Sequence, residues 1–192
     1  MSKEPNAKLE MEIARQCAPV LAGLKPSNLL ILEDRLTAPR DAFPEGAGLS
    51  ARLLYQGPRK SIWLVYRRVE LERVLALPEI REFLKEWGYS ESCMDCMLRR
   101  LAARFAACRE KKQAFPHEMG VFLGYPLGDV KGFITYGGKN YLYSGYWKVY
   151  ENVEETKKQF QLFEAVKTSL TEAVRNGMGI WGALQERLPQ PV

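Results

Sequence analysis

The chain has 192 residues, of which 46% are hydrophobic and 27% charged, a composition typical of an ordinary globular protein. No apolar run approaches the roughly 20 residues that span a bilayer, and the opening MSKEPNAKLEME is too polar and acidic for a secretory signal, so we expect one globular domain, 1–192, in the cytoplasm and away from membranes. The net charge of +5 would suit an anionic ligand, but basic residues alternate with acidic ones, which argues against nucleic acid as a partner.

The N-terminal region predicts a helix over residues 6–22, followed by a short buried strand over 28–32. Because proline disfavours helical geometry in the residue before it, we expect Pro19 to interrupt the helix near its end. Residues 37–50 contain two prolines and two glycines and predict a loop. Four residues at i, i+4 spacing define one buried helix stripe: Leu9, Ile13, Cys17 and Leu21.

Residues 51–56 and 61–67 flank a four-residue turn and predict a β-hairpin whose second strand, apolar on both faces, is central and covered by helices. The order of elements lacks a regular βαβ alternation. It therefore predicts an α+β fold, a helix-rich single domain with a small, largely antiparallel sheet. Helices are predicted over 69–77, 78–87, 90–112, 117–124, 127–136 and 153–176, with a strand over 141–150 and a terminal helix ending at Leu188.

The four cysteines are interpreted as thiols, since a disulfide framework is unusual in a cytoplasmic chain. Cys93 and Cys96 have the two-residue gap of zinc ligands, iron-sulfur ligands and redox dithiols, but the interpretation we favour is incidental thiols near a helix start. Cys108 and His117 could complete a Cys3His metal site. Against this, a continuous helix would hold Cys108 about 18 Å from Cys96, at roughly 1.5 Å per residue. We therefore predict no metal site.

His117 is the only histidine, and its predicted place early in a helix favours the neutral imidazole. Cys17, near the predicted helix break, is the natural nucleophile to pair with it, with Glu118 or Asp129 orienting the imidazole. A cysteine on an apolar stripe is also a common core residue, and a lone histidine often bonds only locally. Both interpretations stay open from the sequence.

Residues 115–150 contain glycines at every fourth position from 120 to 132, beside a dense run of aromatic residues. Each glycine in a helix costs roughly 1 kcal/mol relative to alanine, so either close packing or a bound ligand should compensate. The aromatic residues could stack on a cofactor or cover a neighbouring helix. The candidate ligand-binding residues are Gly120, Gly124, Tyr125, Asp129, Lys131, Tyr146, Trp147 and Lys148.

Three segments, CAPVLAGLKPSNL, FPHEMGVFLGYPLGDVKGFI and GKNYLYSGYWKVY, resemble the domain of unknown function 3793 family, found chiefly in anaerobic bacteria. The resemblance implies no activity and therefore no catalytic residues. Cys17 and His117 lie inside these segments, whereas Cys93 and Cys96 lie outside them.

Three hypotheses follow from the sequence. The first is a cytoplasmic protein that binds a small molecule or cofactor in a pocket formed by residues 115–150, in anaerobic redox or metal metabolism. The second is a thiol-dependent enzyme that uses Cys17 and His117. The third is a structural or protein-interaction module, which would show an exposed apolar patch. The ligand, the cofactor and any protein partner are not identified by the sequence.

Overall fold

The computed structural model describes residues 4–33, 39, 43, 46–90 and 93–187. These residues form eight helices with two small antiparallel sheets, which confirms the predicted α+β class. The chain divides into two compact units, unit 1 (Met1–Arg68 with Phe163–Val192) and unit 2 (Val69–Leu162), and the single domain stays a prediction. Within the described ranges no helix is both long and apolar enough to cross a bilayer.

Unit 1 contains a three-stranded antiparallel sheet in the order β1-β3-β2. The predicted hairpin is confirmed, and its second strand is central with residues buried on both faces. The first helix packs on the sheet, and the apolar cluster between them also takes side chains from the C-terminal helices. The elements are α1 (Glu4–Leu21), β1 (Ser27–Glu33), β2 (Leu49–Gln56), β3 (Lys60–Arg67), the end of α7 (Val153–Arg175) and α8 (Ile180–Arg187).

The predicted interruption at Pro19 is wrong, because α1 continues through this residue to Leu21. Residues outside the helix form hydrogen bonds with the backbone N–H and carbonyl groups of its last turn. The Val20 N–H donates to Asn28 Oδ1 at 3.1 Å, and Arg67 donates to the carbonyl oxygens of Val20 at 2.7 Å and Leu21 at 2.6 Å. A guanidinium at a helix C-terminus satisfies free carbonyls and complements the helix dipole.

Unit 2 is mostly helical, and its predicted helices are present with shifted ends. The helix expected over 117–124 is much shorter, because it spans only Met119–Phe122. Gly124, at φ +72°, lies just beyond its end. The predicted loop at 37–50 and the helix end at Leu188 lie largely outside the described residues. The elements are α2 (Arg68–Ala76), α3 (Pro78–Glu86), α4 (Met94–Arg109), α5 (Met119–Phe122), α6 (Leu127–Thr135), β4 (Tyr143–Ser144) and β5 (Lys148–Val149), followed by the start of α7.

The strand predicted over 141–150 is instead a hairpin of two two-residue strands. The chain reverses at Gly145, whose N–H donates to the Trp147 carbonyl at 3.1 Å. A side chain at Gly145 would collide with the Phe160 ring. Glycine therefore permits a close approach that the alternating aromatic pattern could not indicate.

Candidate functional site

His117 lies in the turn before α5, half-buried, rather than in a helix. Its ring centroid is 5.3 Å from that of Phe115 and 5.2 Å from that of Phe133 on α6. The contacts continue to the hairpin, since Lys148 Nζ lies 5.7 Å from the Phe133 centroid and 4.8 Å from that of Tyr141. We call these five residues, Phe115, His117, Phe133, Lys148 and Tyr141, the aromatic row. The aromatic row therefore connects His117, helix α6 and the aromatic segment that contains the hairpin, as the sequence predicted only in outline.

The aromatic row lies on the surface of unit 2. Phe115 is 44% exposed and Tyr141 is 45% exposed, while the three residues between them are half-buried. The Lys148 amine is fixed in place, because it donates to the Gly138 carbonyl at 2.5 Å and lies over two rings. The row thus combines accessible ring faces with one immobilised positive charge.

The glycines of this segment pack against the protein itself. A Cβ atom at Gly120 would lie 2.7 Å from Val130 Cγ2, and one at Gly132 would lie 2.5 Å from Tyr150 Cγ. A Cβ at Gly128 would meet the carboxylate of Glu151. Since protein atoms already occupy these places, close packing compensates the cost of the helical glycines.

Gly124 has a different role from the glycines in the helices. Its φ of +72° lets the chain turn between α5 and α6, so residues 120 to 132 do not form one continuous helical face. The predicted ligand-binding face of four glycines is therefore not formed.

Glu118 is completely buried and binds groups other than the imidazole. Its Oε1 accepts hydrogen bonds from the Tyr89 hydroxyl at 3.0 Å and from Arg104 Nε at 2.5 Å. Burial, and next the Glu118 charge, raise the pKa of Tyr89, and the bond to Glu118 raises the pKa of Arg104. The carboxylate thus ties α4 to the turn before α5, and the catalytic role predicted for Glu118 has no support in these contacts.

Asp129, in the first turn of α6, is buried and holds the hairpin segment. Its Oδ2 accepts from Trp147 Nε1 at 2.7 Å, and its Oδ1 accepts from the Tyr150 N–H at 2.7 Å. Tyr125 stacks on Trp147 at 4.8 Å, and burial raises the Tyr125 pKa. These predicted binding residues thus form contacts with one another and with the Tyr150 backbone. The hydrogen-bonding capacity of Asp129 is directed at the hairpin rather than at the rim of a pocket.

Two further predicted binding residues lie against aromatic rings. Tyr146 is half-buried, with its ring 5.4 Å from that of Phe160. Lys131 is exposed, and its amine lies 5.9 Å from the Phe83 ring. Among the predicted binding residues, only Lys148 belongs to the aromatic row.

Cys17 is fully buried in the apolar cluster of unit 1, where its sulfur lies 3.9 Å from the Leu29 carbonyl oxygen. Burial raises the pKa of this thiol, which keeps it protonated and makes it a poor nucleophile. His117 belongs to unit 2. The surroundings of Cys17 therefore give no support to the thiol-enzyme hypothesis.

The other three cysteines are free thiols at or within α4. This helix is continuous from Met94 to Arg109, so Cys96 and Cys108 are held apart along it as predicted. Among the residues that the structure describes, no group of three or more histidine, cysteine, aspartate and glutamate side chains could hold a metal ion.

A cavity of about 460 Å³ lies in unit 1, between α1, the edge strand β1 and the β2–β3 turn. Gln16 lies in it and pairs with the edge-strand backbone, accepting from the Ile31 N–H at 2.8 Å and donating to the Ile31 carbonyl at 3.0 Å. Lys8 and Glu33 form an ion pair at 2.9 Å. The sequence did not indicate this cavity. Its lining residues are Lys8, Glu12, Gln16, Ile31, Leu32, Glu33, Arg59 and Lys60.

The sequence also did not single out Phe133, and it indicated Arg104 only as one of the basic residues on a solvated helix face. Phe133 joins the aromatic row only because the chain turns at Gly137 and Gly138, both at positive φ, and returns to Lys148. Arg104 follows a run of basic residues that is typical of a solvated helix face, and its buried partner is distant in sequence. Gly137 and Gly138, which follow α6, were the sequence signal for the contact between Phe133 and Lys148. No local signal indicated the bond between Arg104 and Glu118.

The model of one protein family, described as a protein of unknown function (DUF3793), matches residues 13–181. This match includes all of unit 2, part of unit 1 and every site residue predicted from the sequence, whereas Lys8 and Glu12 of the cavity lie outside it. No curated protein and no solved structure matches the chain. The match includes most of the chain, and the protein therefore belongs to the DUF3793 family of uncharacterised proteins.

Proposed function

We propose that this protein binds a small anionic molecule that carries a flat ring, and that the aromatic row is the binding surface. The observation that carries the proposal is that Phe133 on α6 joins the imidazole of the turn before α5 to the fixed lysine amine of the hairpin, which also lies over the exposed Tyr141 ring. Ring faces favour stacking on a flat ligand, and the amine favours a negative charge beside it.

The two outer rings of the row, Phe115 and Tyr141, are accessible to a ligand. Apolar ring surface that a ligand covers contributes roughly 25 cal/mol for each Å² buried, so these rings can add to binding. The Lys148 amine is held by the Gly138 carbonyl and two rings, so little side-chain entropy remains to be lost on binding.

The proposal keeps residues 115–150 as the binding segment but moves the contact from the glycines to the outer rings. Of the predicted ligand-binding residues, only Lys148 is part of the proposed surface. His117 is proposed to stack on the ligand rather than to act as a base. We place this activity in the cytoplasm, in anaerobic redox or metal metabolism.

Fluorescence titration with anilinonaphthalene sulfonate, an anionic probe that carries a flat naphthalene ring, tests the surface directly. Binding to the full chain should weaken severalfold in Tyr141→Ala and in Lys148→Met. The matched controls are Leu162→Ala and Lys85→Met, which remove exposed side chains of unit 2 outside the row. Equal binding by all four variants would reject the aromatic row as the site.

Native mass spectrometry then tests for a natural ligand. The protein is mixed with the small-molecule fraction of bacteria grown without oxygen, and we expect one added mass that Tyr141→Ala and Lys148→Met fail to retain. A clean unliganded mass for the unaltered protein, or retention by both variants, would contradict the proposal.

A protein-interaction function is the second candidate, supported by Leu142, which is 67% exposed beside Tyr141 and Tyr143. Exposed apolar residues in succession are typical of contact surfaces. Leu142→Ser should then abolish a co-purifying complex and leave probe binding unchanged, with Leu162→Ser as its control. A complex that survives Leu142→Ser would exclude this role for the hairpin.

A further inference from the structure

Helix α4 begins with two thiols separated by two residues. Cys93 is the N-cap residue, exposed and in an extended conformation with φ −81° and ψ 120°. Cys96 lies in the first turn and is half-buried. The N-cap side chain and the N3 residue of a helix lie within reach of each other, as in the reciprocal contacts of a capping box. The spacing therefore places both sulfurs at the same helix end.

The two thiols differ in how they hold a proton. The backbone N–H of Cys96 and then the Cys96 thiol lower the pKa of Cys93. The neighbouring Cys93 thiol is in turn the main cause that raises the pKa of Cys96. The positive end of the helix dipole favours the Cys93 thiolate further. Cys93 is thus the accessible nucleophile, and Cys96 is the thiol that keeps its proton more readily.

Arg99 adds a third group to this cluster. Its Nη2 lies 3.0 Å from the Cys96 sulfur, so a guanidinium faces the second thiol one turn into the helix. A positive charge at this distance stabilises a thiolate when Cys96 releases its proton. The arrangement provides an exposed attacking sulfur and a second sulfur that can be activated in turn.

We propose that Cys93 and Cys96 form a redox dithiol that exchanges electrons with a disulfide substrate. The Cys93 thiolate attacks one sulfur of the substrate R–S–S–R, forming a mixed disulfide and releasing RS⁻, which takes up a proton. Cys96 then loses its proton and attacks the Cys93 sulfur, closing the Cys93–Cys96 disulfide and releasing the second RS⁻. The dithiol loses two electrons and two protons, and the substrate disulfide gains both to become two thiols.

A metal site explains the same pair less well. Two thiolates supply half of the four ligands of a structural zinc site, and the described residues offer no group of three or more candidate ligands. Dithiol exchange needs only the two sulfurs at the helix start. This inference does not depend on ligand binding at the aromatic row.

Equilibration of the reduced full chain with mixtures of reduced and oxidised glutathione tests the proposal. Alkylation of the remaining thiols and peptide mass spectrometry should locate one reversible disulfide between Cys93 and Cys96. Cys96→Ser should instead accumulate a mixed disulfide with glutathione on Cys93, and Cys93→Ser should lose both products. Cys108→Ser is the matched control and should behave as the unaltered protein does.

The rate of alkylation at neutral pH separates a redox pair from two incidental thiols. Cys93 should react severalfold faster than cysteine in a short peptide, and Cys96→Ala should remove much of this advantage because the donating thiol is lost. Absence of the Cys93–Cys96 disulfide at every glutathione ratio would overturn the proposal. So would alkylation of Cys93 no faster than that of the peptide.

Discussion

The interior of unit 1 is an aliphatic cluster shared by α1, β1 and the C-terminal helices, whereas unit 2 encloses two carboxylates, Glu118 and Asp129, among aromatic rings. Apolar burial in unit 1 is roughly proportional to area and has no direction. Each carboxylate in unit 2 accepts hydrogen bonds from groups that are distant in sequence. The two interiors therefore differ in what they contain, although directional bonds from Asn28 and Arg67 also hold the end of α1 in unit 1.

This difference matters for the candidate site. Glu118 fixes the turn that carries His117, and Asp129 fixes the hairpin segment that carries Lys148. The aromatic row depends on both, since its contacts join that turn, α6 and the hairpin. Directional bonds in the interior of unit 2 thus determine the geometry of its surface.

Glu118→Ala should have the largest effect, a loss of about 4 kcal/mol, because removing one member of a buried ion pair leaves its partners uncompensated. Tyr89 and Arg104 would both lose their acceptor. Hydrogen exchange should show increased opening of α4 and α5. Glu110→Ala, which removes an exposed carboxylate, is the control and should change little. Equal exchange in the two variants would contradict a structural role for Glu118.

Leu30→Ala tests the apolar side of the comparison. Leu30 is completely buried in unit 1, and truncation of such a leucine costs about 3.5 kcal/mol through lost burial and the cavity that remains. Leu30→Met keeps most of the volume and should cost under about 1.5 kcal/mol. Urea unfolding followed by circular dichroism measures both. Similar losses for alanine and methionine would show that shape rather than buried volume dominates this core.

Lys25 is a buried cationic residue of unit 1, since it is only 4% exposed and burial lowers its pKa from 10.5 to about 8. Between these two values the unfolded chain binds more protons than the folded one, so this group adds stability as pH rises and loses it as pH falls through about 8. The free energy of unfolding of the unaltered protein, minus that of Lys25→Met, should therefore increase by about 3 kcal/mol across this range.

The raised pKa of Cys17 acts in the opposite direction, because the folded state retains a proton that the unfolded chain releases. Both proteins in the Lys25→Met comparison contain Cys17, so its effect cancels in the difference. Lys25→Arg is a useful control, since arginine stays charged throughout this range. A difference that is flat with pH would show that Lys25 is hydrated rather than buried.

The sequence predicts most of the helices and the β2–β3 hairpin because periodicity and turn residues are local signals. It predicts the convergence of His117 with the ring-rich segment only loosely. The contact between Phe133 and Lys148 depends on a chain reversal, and the bond between Arg104 and Glu118 joins two separate elements. The hairpin at Gly145 was missed because the Phe160 ring that requires a small residue there comes from α7.

Two glycines of α6 provide the finest test of how unit 2 packs. A Cβ at Gly132 would lie 2.5 Å from Tyr150 Cγ, at the rigid base of a ring that also stacks on Tyr136. Gly132→Ala should therefore cost about 2 kcal/mol, as overpacking does. A Cβ at Gly128 would meet only the flexible end of Glu151, which can rotate away. Gly128→Ala should be nearly neutral, since alanine regains up to about 1 kcal/mol of helix propensity.

Thermal unfolding of the two alanine variants measures this difference on one helix with the same substitution. Gly132→Ala should lower the midpoint by several degrees, and Gly128→Ala should leave it almost unchanged. Tyr150→Leu combined with Gly132→Ala should recover part of the loss, because the ring base that opposes the new methyl group is removed. Equal midpoints for the two single variants would mean that the hairpin segment yields to α6, and that the aromatic row is less rigid than its buried carboxylate bonds imply.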